Sequence, residues 1–483
     1  MGAGGPGWRE MLVVVGQGPV GVLVTGGREV GGGAYASAVP VSRKRKKKSG
    51  KSGRSVRRPR VDRCGSGVDV RAWDRPELAD AWRGIAAYRS QLDAQRASQA
   101  AAIARDLVAE LVRVGADQPD MIMEDALCGR LGTLLGEVAQ APVDDRVGPH
   151  YLAEAMVAAA EAAVMAALEA TTGQADAWCV PWRVLTALVC VLPYPLGEVA
   201  GDAIVRLRDT AVGQVLPAVP LGPVVTGPVL WTRDRYGSRF AVAAPITTAD
   251  RSVRWYLWDI DACGHQAFTV HSGFYPTPEA ALAAWQAGVG QIAAAGTVLA
   301  PVHDPWLLAD LMPAEQGLLR AGGESVEQFA EYHRSKRLGE VVTQAVPRRG
   351  IRPGGGLDAA TAAVGFATWL RTHEADKREL PEDVDELARE LADSWCINEI
   401  DGVYAACSPH RVALCVLHMR NFYLDGFADQ LVALLPEWTR WLAAYNAALP
   451  ELADRCLPYA HGQPHQQVGR DDSKPNYLAR VIE

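Results

Sequence analysis

Residues 239–246 (RFAVAAPI), 253–262 (VRWYLWDIDA) and 267–275 (AFTVHSGFY) decide how this chain is read. Each is a short run rich in β-branched or aromatic residues, and the breaks around the runs carry Asp, Gly or Ser, which is the pattern of successive strands. A shorter run of the same kind, 229–233 (VLWTR), precedes them. Thr277-Pro278-Glu279 follows: a capping hydroxyl, a proline at the first helical position and an early acid, opening a helix to about residue 288. The apolar stripe of that helix is Leu282, Trp285 and Val289. The stretch predicts a four-stranded antiparallel meander with one helix across a face.

Strand side chains alternate, so Tyr256, Trp258 and Ile260 share one face while Trp255, Leu257, Asp259 and Asp261 share the other. Large apolar groups on both faces mean that both need cover: the helix on one, and further helices or a ligand on the other. Asp259 and Asp261, two residues apart on one face, have the spacing by which a strand offers two carboxylates to a divalent ion. His265 and His271 lie nearby in sequence. The plainer alternative is that acids at the end of a strand simply lead into a turn.

Working outward, Pro217-Ala218-Val219-Pro220 is a stiff linker, and the segment before it, 73–216, reads as helices. Asp74-Arg75-Pro76-Glu77 is a helix start signal. Ile103, Leu107 and Leu111 recur at helical spacing with Arg105, Glu110 and Arg113 off the stripe. Residues 151–168 form an Ala-rich helix carrying Glu154 and Glu161, and 181–192 are apolar on nearly all sides, as in a central buried helix. Beyond the sheet domain, 217–296, come a helical connector (297–345), a Pro/Gly/Arg linker (346–356, VPRRGIRPGGG), a C-terminal helical module (357–460) and a tail (461–483). The expected fold class is mainly α, helical bundles with a small α+β domain of four antiparallel strands and one helix.

In the C-terminal module, helices are expected over 357–373 and 381–395, then from Ser408-Pro409 through Cys415 and His418, then from Leu434 to Tyr445. Cys407-x2-His410 and Cys415-x2-His418 look like two halves of a zinc site. On a helix beginning at Pro409, however, His410 and Cys415 point about 140° apart, so one ion cannot take all four. Ser394-Trp395-Cys396, Ser408-Pro409 with Val412, and Leu435-Pro436 with Trp441-Leu442 make residues 380–449 resemble a helical C-terminal module of bacterial plasmid-type and SEC-C-containing proteins. The resemblance implies a helical fold and a bacterial setting and carries over no catalytic residue. The metal-binding cysteine motif of a SEC-C segment is absent here: after Tyr459 stand His461 and His465, with no CxC.

The first seventy residues differ from all this. Gly16-Gln17-Gly18-Pro19-Val20-Gly21 matches GxGxxG, but no helix of sufficient length and no acid about twenty residues on follow it, so it is not read as a dinucleotide site. Val41-Ser42-Arg43-Lys44 looks like a natural bacterial start, which would make 1–40 an extension without a fold. Residues 41–72 form a basic arm whose Ser, Gly and Pro leave no apolar periodicity. Between 41 and 63 it carries twelve Lys/Arg against Asp62, while 1–40 balance to zero; since the whole chain stands at −7, the remainder is at −18.

That asymmetry predicts a polyanion- or nucleic-acid-binding arm on an acidic body. The contacting residues would be Arg43, Lys44, Arg45, Lys46, Lys47, Lys48, Lys51, Arg54, Arg57, Arg58 and Arg60, each meeting phosphate without base stacking, since no aromatics interleave. The expected function is therefore a non-enzymatic interaction protein, with nucleic acid or an acidic protein on the arm and a protein partner on the body. The alternative is a metal-dependent enzyme with its site around Asp259 and Asp261. No cofactor and no metal ligand set is assigned from the sequence. Nine sparse cysteines and the absence of signal-peptide order point to the cytoplasm.

Overall fold

The computed structural model describes residues 76–140, 147–170, 176–210, 215–218, 222–249, 251–264, 267–312, 326–352, 354, 356–373, 381–395, 400 and 402–465. Among them are thirteen α-helices and six strands, so the chain is mostly helical with a small antiparallel sheet-and-helix region.

Five helices come first: α1 (Pro76–Asp117), α2 (Met123–Gln140), α3 (Pro149–Glu169), α4 (Cys179–Val191) and α5 (Leu196–Arg208). The apolar helix expected over 181–192 is α4, whose Trp182, Leu185 and Leu188 are buried at the centre. Leu107 and Leu111 of α1, and Met156, Ala160 and Val164 of α3, close around it. Small residues such as Ala100, Ala104 and Ala160 let these helices approach closely. By length and composition α3 would also pass as a membrane span. Here its polar groups find partners in the same bundle: Glu161 pairs with Arg206 at 2.8 Å, and the Tyr151 hydroxyl donates to Asp93 at 2.7 Å.

The sheet comprises β1 (Val224–Val225), β2 (Leu230–Arg233), β3 (Arg239–Thr247), β4 (Val253–Asp261), β5 (Phe268–Tyr275) and β6 (Ala300–Pro301). Strand order is β5-β4-β3-β2-β6, with β1 paired to β3, and every pairing is antiparallel. The expected meander is β2 to β5. To those four strands the structure adds β1 and β6, two-residue strands too short to show any alternation in the sequence. After β5 the Thr277 side chain caps α6 (Pro278–Val289), accepting the Ala280 N–H at 3.2 Å.

Both faces of the sheet are covered by protein. Leu257 and Ala241 pack under Ala281 and Trp285 of α6. On the other face Tyr256, Trp258 and Ile260 cluster with Leu307, Leu308 and Leu311 of α7 (Pro305–Leu311) and Leu338 and Val342 of α8 (Tyr332–Ala345). The Trp258 indole donates to the Ser335 carbonyl at 3.0 Å, satisfying its polar atom in that interior. The segment expected as a plain connector thus supplies one edge strand and the cover of a sheet face.

The C-terminal module holds α9 (Ala359–His373), α10 (Val384–Trp395), α11 (Pro409–Phe422), α12 (Asp425–Tyr445) and α13 (Pro450–Ala460) around Phe366, Leu391, Trp395, Leu435 and Trp438. The helix expected from Leu434 begins earlier, at Asp425, and contains Pro436 inside it. Arg411 is fully buried; its guanidinium donates to the carbonyls of Val403 at 2.6 Å and Trp395 at 3.1 Å, with the Trp395 ring 5.1 Å away. This pins the 403–408 loop, and with it the start of α11, against α10.

Candidate functional site

The two acids of β4 do not act as a pair. Arg239 grips Asp259 with two hydrogen bonds of 2.7 and 2.6 Å, a bidentate fork that uses both carboxylate oxygens. His271 lies opposite Asp259 in the strand register, and its Nε2 is 2.9 Å from the Tyr275 hydroxyl. In the alternative reading, Asp259 and Asp261 would share an ion; here Asp259 has a cation of its own in Arg239. Trp255 stands half-buried, while the Leu257 position of the same face is covered by α6.

Asp261 turns instead toward the C-terminal module. Its Oδ1 accepts the Cys263 N–H at 2.7 Å, and its Oδ2 faces His410 Nδ1 at 3.0 Å. Burial pushes this carboxyl up, but the His410 hydrogen bond and charge and the Cys263 amide together bring it below the ordinary range, so it is a carboxylate. His410 is the second residue of α11, a helix opened by Ser408, whose Oγ accepts the Arg411 N–H at 3.3 Å. The same Ser408 Oγ lies 3.1 Å from Cys263 Sγ. Cys263 is buried, which raises its thiol well above the usual value. One oxygen of Asp261, the Cys263 sulfur and one ring nitrogen of His410 all lie within 4.8 Å of one another.

These groups form one wall of a cleft of about 490 Å³ between the end of β4, the end of α6 with the 290–293 segment after it, and the start of α11. Asp234, Arg239 and His465 also line it. Asp234 sits in the β2–β3 turn, where Gly237 takes φ +75°, and its Oδ1 accepts the amides of Ser238 at 2.8 Å and Arg239 at 3.0 Å. Burial nevertheless pushes its carboxyl up to about 7. The His465 ring stacks on His410 with centroids 5.2 Å apart and planes 17° apart.

The sequence weighed His410 with Cys407, and the structure separates their roles. The Cys407 carbonyl accepts from the Cys456 thiol at 3.6 Å, and its amide donates to the Tyr236 carbonyl at 3.0 Å. Cys415 is buried with its thiol toward the Ser394 carbonyl at 3.8 Å, and His418 packs on the Phe422 ring at 4.3 Å. Sequence reasoning missed the partnership of Cys263 with His410. Its traces were Asp261-x-Cys263 at chelate spacing and a histidine just inside a Ser-Pro helix start.

The arm residues Arg43, Lys44, Arg45, Lys46, Lys47, Lys48, Lys51, Arg54, Arg57, Arg58 and Arg60 lie outside the described residues, as do the GxGxxG stretch and His265. Set against known proteins, the chain matches no family model, no curated protein and no solved structure.

Proposed function

We propose that the chain is an enzyme whose reaction takes place in the cleft beside β4 and α11. One observation carries this: Asp261, Cys263 and His410, brought together from two distant segments, converge on the wall of an open cleft. A carboxylate, a thiol and an imidazole within reach of one another are expensive to assemble in a protein interior, and such groups collect where chemistry is done. Hydrolysis of a small ester or phosphoester is the reaction class that fits, since the cluster is a place to hold and activate a water molecule. The test uses p-nitrophenyl acetate, p-nitrophenyl phosphate and bis(p-nitrophenyl) phosphate, with and without added divalent metal. Turnover of one probe should fall by about 100-fold or more in His410→Gln and stay unchanged in Arg371→Ala, which alters an exposed pair with Asp385. Turnover of none above the His410→Gln level refutes the reading.

The charge asymmetry favours a second role, a polyanion-binding arm. Replacing Lys46, Lys47 and Lys48 by Glu should lower the salt at which the full chain leaves heparin, because each phosphate-type contact releases counterions. Elution at unchanged salt would remove this role and leave the cleft untouched. Cys128, Cys179, Cys263, Cys407, Cys415 and Cys456 are free thiols, in keeping with the reducing, cytoplasmic setting that we propose.

A further inference from the structure

The donor chemistry of the cleft cluster goes further than its position. We infer that Asp261, Cys263 and His410 form a site for one divalent ion of the zinc class, an inference that rests on the cleft being the reaction centre. Thiolate, imidazole and carboxylate are the three ligand types zinc takes in proteins, and three protein ligands with an open fourth position are the pattern of its catalytic sites. Sulfur and nitrogen donors disfavour Mg²⁺ and Ca²⁺, which take oxygen.

The spacing is close to what the ion needs. Two light-atom ligands about 2.0–2.1 Å from a tetrahedral zinc stand about 3.3 Å apart; Asp261 Oδ2 and His410 Nδ1 are 3.0 Å apart. All three donors lie within 4.8 Å of one another, so Cys263 Sγ is near enough to join the other two around one ion. The backbone already fixes the donors: the Cys263 amide holds the free oxygen of Asp261, and the Ser408 cap holds the first turn of α11. Ser408 Oγ, 3.1 Å from the sulfur, is placed to donate to a thiolate as an outer-shell partner.

Charge closes the argument. A divalent ion with one thiolate and one carboxylate makes a neutral centre, which is what a buried wall tolerates. On binding, the Cys263 thiol proton leaves to solvent, and a proton on His410 Nδ1 passes to Nε2, or to solvent if the ring is an imidazolium, so that a neutral ring offers Nδ1 to the ion. Because all three donors line the cleft, an ion held by them would have a fourth position open to a water molecule there. Asp259 takes no part, because Arg239 occupies both of its oxygens.

The experiment is titration of the metal-free full-length protein with Co²⁺, followed by absorbance, with Zn²⁺ added afterwards to displace it. Uptake of one equivalent should bring a near-ultraviolet thiolate-to-cobalt band and tetrahedral visible bands. Cys263→Ser should lose the thiolate band, and both it and His410→Gln should weaken uptake by about 100-fold or more, with unchanged circular dichroism showing that they fold. No uptake refutes the site. So does uptake that both variants retain, which would be adventitious binding at other histidines such as His461. Probe turnover by metal-free protein that binds no Co²⁺ removes the ion and keeps the cleft reading; Co²⁺ uptake without turnover keeps the ion and removes that reading.

Discussion

The sheet meets its two helical neighbours through very different junctions. Toward the first helical region, Arg334 of α8 lies between Glu331 and Asp125 of α2, and Asp125 also takes Arg254 of β4 at 2.7 Å. The Arg254 guanidinium sits 3.9 Å from the Phe274 ring centroid, and the Tyr256 hydroxyl donates to Glu331 at 2.7 Å. Two cations face two anions with aromatic cover. Toward the C-terminal module, Asp234, Asp261, Cys263 and His410 gather around open space, and Arg239, which also lines it, spends its guanidinium on Asp259. A closed, matched network is what holding two elements together requires. Groups left on a cleft wall with reactive atoms facing one another are what chemistry requires.

The largest expected effect breaks the closed junction. Arg334→Met removes the cation and leaves Glu331 beneath the surface beside the Tyr256 hydroxyl, with Asp125 retaining Arg254. Losing one partner of a buried pair costs about 3–5 kcal/mol, because the charge left behind has lost its counter-ion and keeps only the Tyr256 hydroxyl. Urea unfolding at neutral pH should show a loss of that size for Arg334→Met and less than about 1 kcal/mol for His410→Gln, which keeps a polar group against Asp261. Equal losses would show that both junctions are structural and that the contrast is mistaken.

How much of this contrast was visible in the sequence follows from the range of each interaction. The strand runs, the Thr277 cap and the Ser408-Pro409 helix start were legible because their determinants lie within a few residues. The covered faces of the sheet followed from side-chain alternation. β1 and β6 were not legible, since a two-residue strand exists only through its partner. Pro436 inside α12 misled because proline marks a helix start locally, whereas here packing of Leu435, Trp438 and Leu442 in the module core carries the helix through it. Asp261 was singled out, but with the wrong partner. The register places Arg239 diagonal to Asp259, and no local pattern announces that His410, 149 residues away, reaches Asp261.

The junctions also differ in how they respond to acid, and His333 gives the measurable difference. It neighbours Arg334 on α8, is buried, and among the described residues neither of its ring nitrogens has a hydrogen-bond partner. Burial, followed by the nearby Lys336 charge, lowers it from 6.5 to about 4. Its unfolded form therefore binds the proton first. The stability contributed by the neutral ring is whole above about pH 6.5 and is lost as pH falls toward 4, about 3 kcal/mol across that window. Asp234 in the cleft has the opposite sign. Its folded value, near 7, lies above that of the unfolded chain, so its contribution is present at low pH and is lost as pH rises through 7. The two slopes oppose each other in the intact protein, and total stability alone would hide both. The difference between wild type and His333→Leu isolates the histidine. Leucine fills the buried site without titrating, so Tm measured from pH 7 down to 4.5 should fall more steeply for wild type than for the variant. Parallel curves would mean that His333 is protonated or solvated in the folded state, and the acid sensitivity of the closed junction would have to come from its carboxylates.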